Sequence, residues 1–177
     1  MEIKKKGWFL TGLDPLSYEM GIDYEIVLEG KASGYLKSKT EVDSTSFATM
    51  MQMFKANRYK GKRVRLSSYI CTKGVKNSAG MWMGVKDTME ELVQLDNMSN
   101  RPVKGSTDWK LYSIVLDVPN NSTTILFGII LSGKGTVWAN QFFLEEVNEN
   151  IPTTNMQQQD EMLNSPVNLS FDKDSNH

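Results

Sequence analysis

The sequence predicts an all-β domain, a sandwich of antiparallel sheets. Three observations predict it. Apolar and polar residues alternate with a period of two over several short runs. Those runs are rich in β-branched and aromatic residues and are separated by Gly, Asn, Asp or Pro. At 177 residues, 40% hydrophobic and 23% charged, the chain is large enough for one core and has a globular rather than a disordered composition.

Strands are expected near 7–11, 22–29, 32–38, 45–54, 62–72, 80–86, 91–95, 108–118, 123–131 and 136–147. Over 62–70, Val64, Leu66, Ser68 and Ile70 share one face, and Arg63, Arg65, Ser67 and Tyr69 share the other. Over 111–118, Tyr112, Ile114, Leu116 and Val118 face one way. Both patterns suit sheets with one face in a core. Glu29-Gly30-Lys31 is a candidate tight hairpin. Pro119 and the two asparagines after it end a strand, because proline cannot donate to a ladder. Ser132-Gly133-Lys134-Gly135 reads as a hairpin between two apolar strands. About ten strands at this spacing fit a sandwich or jelly roll. Residues 155–163 have the one helical spacing, as a short helix or an irregular crossing segment. The stretch 166–171 alternates like a further strand.

Composition excludes several functions. The net charge of −1 gives no bulk attraction to nucleic acid. Lys4, Lys5 and Lys6, and the group Lys60, Lys62, Arg63 and Arg65, are read as solvated charges. No apolar run approaches the ~18 residues of a membrane span. The N-terminus is basic but too short in apolar residues for a signal peptide, so a cytoplasmic location is expected. The single cysteine, Cys71, rules out an internal disulfide.

The usual catalytic sets are missing. The sole histidine is His177, the last residue, which disfavours a Ser-His-Asp or Cys-His arrangement. One His and one Cys do not make a zinc site. The run from Gly128 to Gly135 nearly spells a phosphate-binding loop, but Gly135 replaces the magnesium-binding hydroxyl and strands flank it on both sides. Paired carboxylates stay open, since any two of the 21 acidic residues could serve a glycosidase. No cofactor is expected. A structural calcium ion is the one metal the loops could house, through Asp14, Asp43 or Asp87.

In Gly80-Met81-Trp82-Met83-Gly84, alternation places Trp82 on a face with two glycines and Met81, Met83 and Val85 on the other. Such a tryptophan can lie flat and stack on a sugar ring, or fill the core. Gln52 is polar in an apolar strand, and Asp96, Asn97 and Arg101 sit where a strand becomes a loop. Arg101 with Asp96 is either an ion pair bracing that loop or a ligand clamp. The expected ligand pocket holds Gln52, Trp82, Asn97 and Arg101, with Asp96 beside them. Trp8, Trp109 and Trp138 are assigned to the core, and the 11 methionines are read as adaptable core filler.

A series of stretches resembles a known family. They are Gly30–Leu36, Tyr59–Ser67, Gly80–Met83, Asp96–Met98, Arg101–Trp109, Val115–Pro119 and Gly128–Trp138. Together, over residues 7–155, the series resembles a jelly-roll, carbohydrate-binding-module-like (galactose-binding-like) domain of bacteria. Such domains are appended to AraC-type transcriptional regulators and some serine peptidases. The resemblance implies a sandwich and an accessory role in ligand binding. No helix-turn-helix pattern accompanies it here. The family's acidic residue after the 136–138 strand is Asn140 in this chain, and its arginine after Trp-Met is Gly84.

The family's first strand is missing before Gly7-Trp8, and Val167-Asn168-Leu169-Ser170-Phe171-Asp172 resembles it. The expectation is one domain over 1–177: a main sandwich at 7–155, a crossing segment at 156–165, and a strand at 166–172 that closes the sandwich. A domain-swapped dimer is the alternative. The expected function is a non-catalytic module for a carbohydrate or similar small ligand, acting as a sensor or accessory domain. A protein-interaction module and a carboxylate glycosidase remain the alternatives.

Overall fold

The computed structural model describes residues 7–39, 41–157, 166 and 169–170. Among them are nine strands: β1 (Phe9–Gly12), β2 (Tyr18–Asp23), β3 (Ser33–Ser38), β4 (Phe47–Lys55), β5 (Lys62–Asp87), β6 (Leu92–Asp96), β7 (Val103–Val118), β8 (Ser122–Ser132) and β9 (Thr136–Val147). All pairings are antiparallel. The chain is all-β, as the period-two patterns predict, and it forms a jelly-roll sandwich.

One strand builds both layers. A straight strand of the 26 residues of β5 would span about 85 Å, against roughly 40 Å for a domain of this size, so it must bend. It does so around Gly74, which has φ +61°, and its pairing with β7 shifts register three times between Ile70 and Ala79. The first half of β5 lies between β9 and β7, in a sheet ordered β2-β3-β9-β5-β7, called sheet A. The second half lies between β8 and β6, in a sheet ordered β1-β4-β8-β5-β6, called sheet B. Two separate strands, 62–72 and 80–86, are expected there. Instead the start of β7 pairs through the bend, Val75 with Gly105 and Ala79 with Val103.

The core lies between the sheets. Val64, Leu66 and Ile70 of β5, Ile114, Leu116 and Val118 of β7, and Ile125, Ile129 and Leu131 of β8 are all buried there. Met50, Met81 and Met83 fill it out, as expected of flexible thioethers. At the open end, Trp8, Phe54, Phe127 and Phe142 pack mostly edge to face, with ring centroids 5.3–6.1 Å apart.

Three turns differ from expectation. The second strand is Tyr18–Asp23 rather than 22–29, because the Asp23 carboxylate accepts the N–H groups of Glu25 and Ile26 and ends it. Glu29-Gly30-Lys31 accordingly belongs to a long loop, not a tight hairpin. Ser132–Gly135 is no hairpin either: β8 lies in sheet B and β9 in sheet A, so it crosses between layers.

After β9 the chain crosses from one edge strand to the other. Arg63 donates to the carbonyls of Glu149 and Ile151, Thr154 bonds both ways with Val115 of β7, and Met156 N–H donates to Leu95 of β6. Residues 148–157 thus form a crossing segment, and Asn155–Gln157 are not helical; the expected crossing segment at 156–165 lies mostly outside the described residues. The rest of the expected helix and most of the expected strand at 166–172 lie outside the described residues. Of that strand, Leu169 and Ser170 form a turn.

Candidate functional site

The outward face of sheet A carries three rows of side chains. The first runs Glu19, Lys37, Thr136, Lys73 across β2, β3, β9 and β5, each paired with the next. The second, two residues along, runs Gly21, Tyr35, Trp138, Cys71. The third holds Asp23 and Ser33, then Asn140 paired with Tyr69. Rows two residues apart lie about 7 Å from one another, and strands about 4.8 Å. A groove of about 1200 Å³ runs over this face, its end walls formed by the 24–26 part of the β2–β3 loop and by Lys73, Gly74, Lys134 and Gly135.

Local features hold the aromatic row in place. Tyr35 lies over Gly21, where a Cβ would come within 2.3–2.4 Å of the ring. Trp138 donates from Nε1 to Asp23 Oδ2 at 2.9 Å. With the N–H groups of Glu25 and Ile26 it gives Asp23 three donors, which hold the carboxyl below its ordinary value, the backbone donors most of all. Burial raises the Tyr35 phenol, and the charges of Glu19 and Asp23 add to the effect. Asn140 donates to the carbonyls of Glu29 and Ala32 and to Ser33 Oγ. This amide therefore ties the β2–β3 loop to the sheet. Burial pushes the Cys71 thiol up to about 11, so it stays protonated at neutral pH and is no nucleophile.

The residues expected to form the pocket are not brought together. Trp82 faces outward on sheet B, opposite Gly128, and donates to Thr49 Oγ1 at 2.7 Å. The surfaces of its flanking glycines are covered: a Cβ would come 3.3 Å from Met98 at Gly80 and 2.8 Å from Leu92 at Gly84. Gln52 has the opposite parity to Met51, the partner of Gly128, and so points between the sheets beside Gly7. Gln52 and Trp82 therefore sit on opposite faces of one sheet. Asn97 is exposed and caps its own turn through Ser99 N–H. Asp96 and Arg101 do meet, in a bidentate pair with Asp96 fully buried, and Arg101 also donates to the Ser113 carbonyl. That is the geometry of a brace between the β6–β7 loop and β7.

Of the tryptophans assigned to the core, only Trp8 packs against it. Trp138 is instead at the centre of the groove. Its place was legible locally, since Val137 and Ala139 are the apolar partners of its alternation. That Tyr35 lies beside it was not, because β3 and β9 are about a hundred residues apart and only their register joins them.

The loop aspartates each bond within or beside their own loops. Asp14 accepts from Ser17 and Ser46, Asp43 from Thr45, and Asp87 from the N–H groups of Met89 and Glu91. No group of three His, Cys, Asp or Glu able to hold a metal occurs among the described residues. The basic group at 62–65 is neutralised, with Lys62 on Glu146, Arg63 on Asp117 and Arg65 on Glu145. Lys4 to Lys6 lie outside the described residues. No helix among the described residues is long and apolar enough to cross a membrane.

Solved structures with this architecture include the xylan-binding CBM22-1 domain of Paenibacillus barcinonensis Xyn10C, with TM-score 0.54 and 16% identity over 80% of this chain and 86% of that one. The C-terminal family 22 carbohydrate-binding module of Clostridium thermocellum Xyn10B gives 0.56 and 10% over 82% and 89%. The fold is that of the carbohydrate-binding modules. A similar fold occurs within a much larger chain, the enzymatically active domain of bacteriophage CBA120 tailspike protein 4. There the TM-score is 0.56 and the identity 14%, over 80% of this chain and 20% of that one. No family model matches the chain. In sequence, the chain is 56% identical over 174 residues to the uncharacterized HTH-type transcriptional regulator YbfP of Bacillus subtilis (strain 168). The match takes in 98% of this chain, which spans 59% of that regulator's length. A carbohydrate-binding-module fold with a regulator as relative is what the motif series resembles.

Proposed function

We propose that this chain is a non-catalytic carbohydrate-binding module that serves as a sensor domain, with its site on the outward face of sheet A. The observation that carries the reading is the Tyr35–Trp138 pair, adjacent in the β3–β9 register at the centre of the groove. Two aromatic side chains on neighbouring strands, whose backbones lie about 4.8 Å apart, suit the apolar face of a pyranose ring, and the flanking polar rows suit its hydroxyls. Xylan binding by a module of the same fold supports a polysaccharide or oligosaccharide ligand. The regulator among its relatives supports a sensing role in the cytoplasm. Binding rather than hydrolysis fits Asp23, whose carboxylate is committed to three N–H donors and held ionised.

Titration with xylohexaose and other oligosaccharides, followed by tryptophan fluorescence, tests the site. The bound sugar should quench the native chain and Trp82→Ala alike. Trp138→Ala should lose the quench and bind about tenfold more weakly or worse. Quenching that survives Trp138→Ala and disappears in Trp82→Ala would return the site to sheet B.

A second reading, a protein-interaction module, rests on Leu111 and Phe143. They are 50% and 59% exposed beside the groove, opposite Tyr69 and Ser67. A change in sedimentation of Leu111→Ser/Phe143→Ser at unchanged sugar affinity would favour it.

A further inference from the structure

The two ends of the groove differ in charge. Beyond the aromatic row lie Lys37 and Lys73 in the first row, with Lys39 just past the end of β3 and Lys134 just before β9. All four are exposed. Among the described residues none has a carboxylate within ion-pair distance, although Lys62, Arg63, Arg65 and Arg101 all do. Glu19 is the one carboxylate in that row, so four ammonium groups face one carboxylate there. The acids Asp23 and Glu25 line the opposite end, and Asp23 is held there by its three donors. Unpaired lysines occur elsewhere on the sandwich, so what distinguishes this end is that four of them line one groove beside the stacking platform.

We propose that the groove selects an acidic sugar, a pyranoside whose carboxylate lies over the lysine row while its ring, or its neighbour's, stacks on Tyr35 and Trp138. The row spacing of about 7 Å equals little more than one sugar unit, which places the anionic substituent on the stacked residue or the next one along. Ammonium groups on flexible stems suit a point attraction to an exposed carboxylate rather than a fixed bidentate grip. This inference rests on the binding site proposed above.

Calorimetry on the full chain with two probes, xylohexaose and a xylo-oligosaccharide bearing glucuronic acid, tests it. At about 50 mM salt the acidic probe should bind about tenfold more tightly, the sum of a few exposed charge contacts. The preference should shrink at 0.5 M salt. Lys37→Ala/Lys73→Ala should remove the preference, weakening the acidic probe about tenfold more than the neutral one. Equal affinity for the two probes, or a preference that survives the double substitution, overturns the acidic-sugar inference while the sugar site stands. Binding of neither probe overturns both. A sulfated oligosaccharide that outcompetes the uronate would overturn the assignment to a carboxylate.

Discussion

Removing the guanidinium of Arg101 distinguishes a brace from a ligand clamp. In Arg101→Ala, Asp96 keeps the Met98 N–H at 2.9 Å and loses both guanidinium bonds. Breaking a fully buried pair from one side costs about 3–5 kcal/mol. Asp96 is fully buried, but the Arg101 side chain is 34% exposed, so water can enter the vacated space and solvate part of the carboxylate. The expected loss is about 2–3 kcal/mol. For a domain of this size that lowers Tm by roughly 4–12 °C. Urea unfolding followed by tryptophan fluorescence at pH 7 gives the number. Adding Asp96→Asn should recover part of it, with a coupling of about 1–2 kcal/mol in the double-mutant cycle. A loss below about 0.5 kcal/mol would refute the brace. So would unchanged stability with sugar binding lost, which would make Arg101 a clamp.

Other substitutions probe the site and the core. Gly21→Ala should lift the Tyr35 ring off the sheet and weaken sugar binding several-fold with the fold intact, and an unchanged affinity would remove Tyr35 from the platform. Asp23 binds fewer protons in the folded than in the unfolded chain around its ordinary value of 3.8, because its folded value is lower. Its stabilising contribution is therefore complete above that value and fades as pH falls through the lower one. The acid titration of Trp138 fluorescence should show this step in the native chain and lack it in Asp23→Asn. Leu116→Ala should cost about 2–5 kcal/mol and Leu111→Ala less than about 0.5, since the first is buried and the second half exposed. Equal costs would mean the faces of β7 are misassigned. Ending the chain at residue 163 tests the expected closing strand, and an unchanged Tm would remove it.

Much of the fold was legible because alternation is a local property. The inward set Val64, Leu66, Ser68 and Ile70 and the inward Ile114, Leu116 and Val118 are all buried as read. That Trp82 faces away from Met81, Met83 and Val85 was legible for the same reason, though not that its face is the outward one. The site was not, because binding surfaces here are made by rows across strands. Asp96 and Arg101 were five residues apart and could be paired by eye. Gln52 and Trp82 could not be placed, since nothing local says whether Met51 or Gln52 shares a face with a tryptophan thirty residues on.

The sequence by itself determined the class of structure, the inner and outer faces of most strands, and the lack of His and Cys for common catalytic sets. Only the tertiary structure decided that one 26-residue strand serves both sheets. It also moved Trp138 from the core to a groove and set Tyr35 beside it, with unpaired lysines at one end and Asp23 at the other. The physical reason is register: a strand's alternation fixes which way a side chain points, but hydrogen-bonded pairing with distant strands fixes its neighbours.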